Sequence, residues 1–184
     1  MTGKKFIRNA ILMIIGAIGG LVFLIYATVK TKATSLNQYE PFKAWIGETV
    51  VLKREAAVFK EKLRSNENGR YPCTLLDSLH PKWRYVQVSK TIGDLEEIGK
   101  LPAGTVLKLE CTIQYTNGVS GSSYPTIFGT ITENGNTYKI GYQWGSREIG
   151  KCVADTDKCW PFNQAPWQAE RDTTFYALPT ATLW

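Results

Sequence analysis

A single histidine limits the catalytic chemistry that this chain can carry. His80 is the only imidazole in the sequence, so it is the only candidate base for Ser-His-Asp or Cys-His catalysis, and a metal site with two imidazoles is excluded. It lies in "SLHPKW", beside a proline in a polar stretch, which is typical of a solvated loop histidine. The sequence contains no G-x-S-x-G, P-loop or H-E-x-x-H motif.

Paired carboxylates are the other candidates, because two of them can act as general acid and base. Glu96 and Glu97 lie in "GDLEEIGK", and Asp155 and Asp157 lie in "CVADTDKC". A calcium site needs about six to eight oxygen ligands, and the second stretch is not an EF-hand loop. We interpret both pairs as solvated turns. We therefore expect a protein that is not an enzyme, with no catalytic residue, no metal and no cofactor.

The four cysteines indicate structural cross-links instead. An even number of thiols is typical of an oxidising compartment. Six residues separate Cys152 from Cys159, a spacing that does not fit the C-x-x-C arms of a zinc site and favours a local disulfide. Cys73 and Cys111 would then form the second bridge, although four cysteines allow three connectivities. Four buried thiols in a reducing compartment are the alternative.

Aromatic residues and prolines dominate the C-terminal stretch. Proline spacing argues against a regular central strand, so we predict an irregular strap that is stapled to the domain by the Cys152–Cys159 disulfide. Such aromatic residues either fill a core or form a recognition surface. The candidates for a binding surface are Trp160, Phe162, Trp167 and Trp184.

Alternating patterns predict that mainly β-strands position these residues. Tyr138, Ile140, Tyr142 and Trp144 recur every second residue, and Asn134-Gly135 before them is the preferred dipeptide of a tight hairpin turn. We therefore predict a hairpin over residues 127–144.

Three further segments carry weaker strand patterns. Leu107, Leu109, Cys111 and Ile113 share one face of a predicted strand, and "KWRYVQVSK" alternates in the same way. Residues 47–65 fit either a helical stripe or two short strands, and we favour strands. Together, these short strands predict a small antiparallel barrel or sandwich.

The phrases "IGKLPAGTVLKLE" and "FGTITENGNTYKIGYQW" resemble bacterial SH3-like domains, in which a G-x-L-x-x-G-T turn precedes a strand and a later hairpin closes the barrel. The resemblance covers about residues 92–144. It implies an SH3-like barrel that serves as a binding module for cell-wall peptide or for protein. It assigns no individual functional residue.

The N-terminus predicts a membrane anchor. Residues 10–29 contain no charge and would span a bilayer as a helix. The run is long for a cleaved secretory signal, which is the alternative, and no A-x-A-like site follows it. Lys4, Lys5 and Arg8 precede the run, and Lys30 and Lys32 follow it. This balance predicts a cytoplasmic N-terminus.

These features predict four regions: a basic cytoplasmic tail at 1–9, the transmembrane helix at 10–29, a juxtamembrane linker at 30–41 and an extracytoplasmic β domain at 42–184. Gly16 and Gly20 have the small-xxx-small spacing that lets membrane helices pack closely, either on a partner helix or in a homo-oligomer. Residues 1–38 hold five of the 22 basic residues and none of the 16 acidic ones, so the domain is nearly neutral and nucleic acid is not an expected partner.

We expect a single-pass protein of a bacterial inner membrane whose periplasmic domain binds a membrane or periplasmic protein, as an accessory or assembly subunit of an envelope complex. An immunity or inhibitor protein against a periplasmic toxin fits the same features. A peptidoglycan-binding or glycan-binding module is the third hypothesis, motivated by the aromatic tail and the SH3-like resemblance.

Overall fold

A long apolar helix opens the chain. The structure is a computed structural model that describes residues 3–61, 68–148, 152 and 159–179. Helix α1 runs over Gly3–Val29. A stretch within its segment Ile7–Val29 has a mean hydropathy of 2.5, and none of that stretch is buried against the rest of the chain. Among the described residues, this one helix is therefore long and apolar enough to span a membrane, although a signal sequence near the N-terminus would meet the same criterion.

The rest of the described chain is mainly β-sheet, as predicted. After α1 the elements are β1 (Lys32–Ser35), a short 3-10 turn (Phe42–Ala44), β2 (Thr49–Val51), β3 (Ala56–Glu61), β4 (Cys73–Asp77), α2 (Trp83–Ile92), β5 (Leu95–Leu101), β6 (Val106–Thr116), β7 (Ser123–Glu133) and β8 (Asn136–Gln143). The sheet has the order β1-β6-β7-β8-β4-β3-β5, and β2 also pairs with β6. All of these pairs are antiparallel except β4 with β8.

The predicted SH3-like barrel is not confirmed, because the sheet is open. Strands β1 and β5 stand at opposite ends of the strand order, and no pairing joins them within the described ranges. The two phrases that resemble an SH3-like domain do form strands β5 to β8, so the local pattern is present without the closed barrel.

The predicted hairpin is confirmed. Strands β7 and β8 pair in register down to Glu133 and Asn136, and the two residues between them, Asn134 and Gly135, have φ values of 50° and 76°. Positive φ at both positions is the requirement of a type I′ turn, whose twist matches that of the strands. The alternation is confirmed in the second half of β8 and just beyond it, where Ile140, Tyr142 and Trp144 are fully buried.

The strand predicted in "KWRYVQVSK" is wrong, because these residues form helix α2. The buried residues of this segment are Val86 and Ser89, which are three positions apart and thus share a helix face. Gly93 ends the helix in the left-handed conformation, with φ of 85°, and its N–H donates to the last turn. Packing of Val86 against Phe59 and Leu76 of the sheet stabilises the helix.

Strand β6 does not keep one face along its length. Its register with β7 shifts between Leu109 and Cys111, so a bulge moves the later residues to the opposite face. Leu107 and Leu109 lie in the main core on one face of the sheet. Cys111 and Ile113 instead pack on the opposite face, against the cluster of Tyr71, Tyr115 and Phe128. The predicted common face of these four residues is therefore wrong beyond the bulge.

The predicted linker at 30–41 contains a strand. Only Lys30 and Thr31 separate α1 from β1, and β1 pairs along residues 113–116 of β6. Leu36 is fully buried, and its N–H donates to Thr112 O at 3.0 Å. The short sequence "KATS" has no apolar period that would predict a strand. Backbone pairing with β6 stabilises this edge strand instead. Consequently the helix is joined to the sheet through two residues.

Candidate functional site

The predicted aromatic binding surface is mostly core. Trp160, Phe162 and Trp167 are each 3% exposed, and the irregular strap formed by residues 160–178 covers one face of the sheet, which we call the core face. The Trp144 ring lies 5.6 Å from Phe162 and 5.8 Å from Trp167, in edge-on contacts. Three of the four candidates therefore fill space between strap and sheet. Trp184 lies outside the described residues.

The cysteine predictions have two outcomes. The Cys152–Cys159 disulfide is confirmed, whereas Cys73 and Cys111 are not joined. Cys73 is in β4 and Cys111 is in β6, with β8 and β7 between them, so their Cα atoms are about 14 Å apart across the sheet. A disulfide needs a Cα separation below about 7 Å. The two thiols also face opposite sides of the sheet.

The prediction that His80 is a solvated loop residue is wrong, because its side chain is buried and the residue is only 4% exposed. Its Nε2–H donates to Gln143 O at 2.9 Å, and its Nδ1 accepts from the Lys82 N–H at 3.0 Å. Both nitrogens are therefore used by the neutral ring. Burial lowers the pKa of His80 to about 4. His80 ties the loop before α2 to the end of β8, which is a structural role.

The remaining candidates are spread through the molecule. Gly16 and Gly20 lie in α1, where a Cβ added to either glycine would meet no described atom within 4 Å beyond the helix itself, so their packing role stays a prediction. Glu97 forms an ion pair with Lys90 of α2. Asp155 and Asp157 lie outside the described residues.

A groove on the second face of the sheet, lying between α2 and strands β6 and β7, has the properties of a binding site. Its volume is about 310 Å³, at the lower end of the roughly 300–1,000 Å³ typical of ligand pockets. We call it the tyrosine groove and define it by its lining: Phe59, Glu61, Asn68, Thr74, Leu76, Lys82, Tyr85, Val86, Leu95, Tyr115, Tyr124, Thr126, Phe128, Gly141 and Gln143.

Aromatic rings form both walls of the tyrosine groove. Tyr85 of α2 is 67% exposed on one wall. On the other wall the Tyr115 ring lies 6.0 Å from Tyr124 and 6.4 Å from Phe128. Lys82, at the start of α2, places its Nζ 5.6 Å from the Tyr124 ring centroid. A cation over an aromatic face adds a positive charge at this end of the groove.

The floor of the groove includes Gly141 and Gln143 of β8. Gly141 lets Phe128 and Thr126 lie close over the strand, because a Cβ at this position would lie 2.9 Å from the Phe128 ring and 3.2 Å from Thr126. Beside it, the Gln143 Nε2 donates to Gly145 O at 3.3 Å. No described group donates to the buried Gln143 Oε1. Buried polar atoms are normally satisfied, so this oxygen is one of a few exceptions among the described residues, which include Asp77 Oδ1 and Trp167 Nε1 on the other face.

Hydrogen bonds fix the wall next to Phe128. Tyr71 stacks on Phe128 at 4.8 Å and donates its O–H to Glu110 Oε2 at 2.6 Å, and Thr130 donates to the other Glu110 oxygen at 2.7 Å. Burial, followed by the hydrogen bond to Glu110, raises the pKa of Tyr71. The bond from Tyr71 lowers the pKa of Glu110. This wall is therefore held in place before any ligand arrives.

A second cavity, of about 470 Å³, adjoins the tyrosine groove and lies against the strap. Lys82 and Gln143 line both cavities. His80 and part of the strap line the second cavity alone, together with Arg171. The guanidinium of Arg171 is already engaged within the chain, because its Nε donates to Phe162 O at 2.8 Å. We therefore take the tyrosine groove as the site and the second cavity as its extension.

No protein-family model, curated protein or solved structure matches this chain. The tyrosine groove is therefore interpreted from its own chemistry. Among the described residues, no three metal-ligating side chains converge, and the groove joins aromatic faces to a few hydrogen-bonding groups. Such a lining can bind a peptide segment or a sugar.

The sequence did not reveal this groove, because its walls are brought together by long-range pairing. The parallel pairing of β4 with β8 places Thr74 beside Gly141, and the bulge in β6 moves Tyr115 to the face that carries Tyr124. One signal was present: in "YPTIF", Tyr124 and Phe128 lie on one face and Pro125 and Ile127 on the other. A strand with large side chains on both faces indicates that its second face is also used.

Proposed function

We propose that this chain is a single-pass membrane protein whose tyrosine groove binds a protein partner in the same membrane. The observation that carries the proposal is the direct connection of α1 to the sheet, with only Lys30 and Thr31 between helix and strand. A groove on such a domain stays close to the bilayer surface. It is therefore presented to the parts of other membrane proteins that emerge nearby.

The height of the groove follows from the register of β6 and β7. Tyr115 pairs with Tyr124, one position before the last pair of the hairpin, Thr116 with Ser123. The connecting turn passes beside the end of α1, where Gly118 approaches Thr28 O. Three residues of strand correspond to about 10 Å. The aromatic wall is therefore about that distance from the membrane end of the helix.

The lining of the groove supports a protein ligand. Tyrosine is enriched among the residues that dominate binding energy at protein interfaces, and Tyr85 is 67% exposed without forming part of the core. The groove is also lined by Thr74 and Thr126, whose hydroxyl oxygens suit a backbone N–H donor. A membrane-proximal loop of a partner protein offers both an apolar side chain and such a donor.

The side of the membrane is inferred from the charges and the disulfide. The flanking lysine and arginine residues favour a cytoplasmic N-terminus, and the Cys152–Cys159 disulfide is typical of an oxidising compartment. The proposed location is a bacterial inner membrane with the domain in the periplasm. An accessory subunit of an envelope complex and an immunity protein that blocks a toxin both fit this topology.

The proposal is tested by affinity purification of the full-length protein from its native membrane in mild detergent, with bound proteins identified by mass spectrometry. We expect a stoichiometric membrane protein that is lost in Tyr85→Ala and retained in Tyr39→Ala, because Tyr39 is also exposed but lies outside the groove. Loss only in the double variant Gly16→Leu, Gly20→Leu would assign partner binding to the helix instead. Equal capture by all variants would reject the groove as the binding site.

A glycan is the second candidate ligand, because hydroxyl and amide groups from Thr74, Thr126 and Gln143 lie beside tyrosine rings in the same groove. Aromatic faces beside hydrogen-bonding groups suit a sugar ring. Sedimentation of the detergent-solubilised protein with purified peptidoglycan tests this candidate. Sedimentation that Tyr85→Ala abolishes would support it, and a protein that stays in the supernatant would reject it.

A further inference from the structure

The turn that joins β6 to β7 lies against the end of α1. A Cβ placed on Gly118 would lie 2.1 Å from Thr28 O and 2.7 Å from Lys30 O. Both distances are below any normal contact, so the close approach of turn and helix requires glycine at this position. The turn, residues 117–122, is thereby fixed beside the last residues of the apolar helix. We call it the hairpin tip.

The hairpin tip is itself well ordered by hydrogen bonds. Asn117 Oδ1 accepts from the N–H groups of Val119 and Ser120, both at 2.9 Å, and the Gly121 N–H donates to Asn117 O at 2.9 Å. An asparagine that bonds to the backbone in this way holds a compact turn. The position of Val119 therefore follows from that of the hairpin.

The end of α1 has the composition of a membrane interface. Tyr26 lies in its last turn, and Lys30 follows it with Nζ 5.7 Å from the Tyr26 ring centroid. Tyrosine is enriched at the headgroup level of bilayers, and lysine extends its charge into the water there. If the helix spans a membrane, this level contains the backbone of Thr28. The hairpin tip, which contacts Thr28, then lies at the same depth.

The chemistry of the hairpin tip suits that depth. Val119 is 74% exposed, which makes it more exposed than the other large hydrophobic residues of the described chain. The tip, "NGVSGS", contains no charged residue that the headgroup layer would have to desolvate. The transfer of an exposed valine side chain from water to a lipid surface is favourable, because it removes apolar area from water.

We propose that the hairpin tip is a second membrane contact, in which Val119 inserts into the headgroup layer beside the helix. This inference rests on the proposed transmembrane role of α1. Two contacts, the helix and the tip, hold the domain in one orientation relative to the bilayer. The tyrosine groove, whose wall belongs to the same hairpin, is consequently held at a constant height and direction.

The test attaches an environment-sensitive fluorophore to single cysteines in the full-length protein, reconstituted in nanodiscs of phosphatidylethanolamine and phosphatidylglycerol. Three labelling sites are compared in a Cys111→Ser background: Val119→Cys, Val106→Cys and Leu12→Cys. Val106 is a matched control, because it is an exposed valine of the same hairpin. It begins β6 ten residues before Thr116, and thus lies about 34 Å from the tip. The background leaves Cys73 buried.

We expect lipids with a nitroxide at the headgroup to quench the label at 119 several-fold more than the label at 106, with a blue-shifted emission at 119. Equal quenching at 119 and 106 would overturn the hairpin contact. The label at 12 separates this failure from a failure of the proposed function, since a nitroxide on the acyl chain quenches it only if the helix is inserted. An unquenched label at 12 would contradict both the transmembrane helix and the hairpin contact.

Discussion

The two faces of the sheet are both rich in aromatic residues, but they are covered differently. On the core face Tyr142 and Trp144 are fully buried beneath the strap, which adds Trp160, Phe162 and Trp167. On the groove face α2 covers only the side near Phe59 and Leu76, and Tyr85 remains 67% exposed. An aromatic face becomes core only where another segment covers it.

The difference also shows how each face obtains its polar contacts. On the core face Arg54 donates to Asp77 and to the strap carbonyls of Gln164 and Gln168, at 2.6 and 3.4 Å for the latter two. On the groove face the Gln143 Oε1 receives no donor from the described residues. On the core face Asp77 Oδ1 and Trp167 Nε1 also have no partner among the described residues. The two faces therefore differ in what covers them: the strap covers the core face, and we propose that a ligand covers the groove face.

Breaking the fastening of the strap should destabilise the protein most. Arg54→Met leaves the fully buried Asp77 carboxylate without its ionic partner and removes the bonds to the strap. We expect the free energy of unfolding to fall by about 3–5 kcal/mol. Guanidinium denaturation of the full-length protein in mild detergent, followed by tryptophan fluorescence, measures it.

Arg84→Met is the matched control, because Arg84 is exposed on α2. Its effect should stay within about 0.5 kcal/mol. A loss of the same size in the two variants would show that the strap is not held by Arg54.

The next largest loss of stability is expected at low pH and arises from His80, which lies beside the boundary of the two cavities. The folded protein keeps His80 neutral down to a pKa of about 4, whereas the unfolded chain protonates it near a pKa of about 6.5. The unfolded state thus binds more protons in this window, and stability falls as the pH drops from about 6.5 to about 4, by on the order of 3 kcal/mol.

His80→Gln serves as the reference for this titration. Other groups, including Asp77, titrate in both proteins, so the difference between their denaturation curves isolates His80. We expect the difference in free energy of unfolding between the wild-type protein and His80→Gln to become smaller as the pH falls from about 6.5 to about 4. A difference that is constant with pH would contradict a buried neutral histidine.

A smaller effect is expected from the disulfide that leads into the strap. Opening the Cys152–Cys159 loop restores chain entropy to the unfolded state and should cost about 2–3 kcal/mol. The Glu148 N–H donates to Cys159 O at 2.9 Å, so the same change loosens the start of the strap. Thermal unfolding with and without a reducing agent measures the loss. The double variant Cys152→Ser, Cys159→Ser should be insensitive to reduction, and a reductant effect that persists there would point to another cause.

The smallest effect on stability is expected on the open face. Tyr85→Ala removes an exposed ring and should change the free energy of unfolding by no more than about 0.5 kcal/mol. Denaturation under the conditions used for Arg54→Met provides the comparison. A loss above about 2 kcal/mol would mean that Tyr85 belongs to a core, and the distinction between the two faces would fail.

Local signals in the sequence predicted the parts of the fold that local physics determines. The apolar run gives α1, and Asn134-Gly135 gives the β7–β8 hairpin, because each is decided by neighbouring residues. Helix α2 was missed because its burial is decided by Phe59 and Leu76, which are distant in sequence. Strand β1 was missed within the predicted linker for the same reason, since it exists only through its pairing with β6.

The site was predicted less well than the fold. Cys152 and Cys159 were recognised from their spacing, but the aromatic residues of the strap were candidates for a binding surface because composition does not show which side of a sheet they cover. Tyr85, Tyr115 and Tyr124 come together only through α2, a bulge and a parallel strand pair. None of these is visible as a pattern along the chain.

A contact between the tyrosine groove and a partner in the same membrane can be detected by photo-crosslinking. A benzophenone amino acid is placed at position 85 of the full-length protein and, separately, at position 39, and native membranes are irradiated. We expect one discrete crosslinked membrane protein from position 85 that is absent from position 39. No crosslink at 85, or the same products from both positions, would contradict the proposed role of the groove.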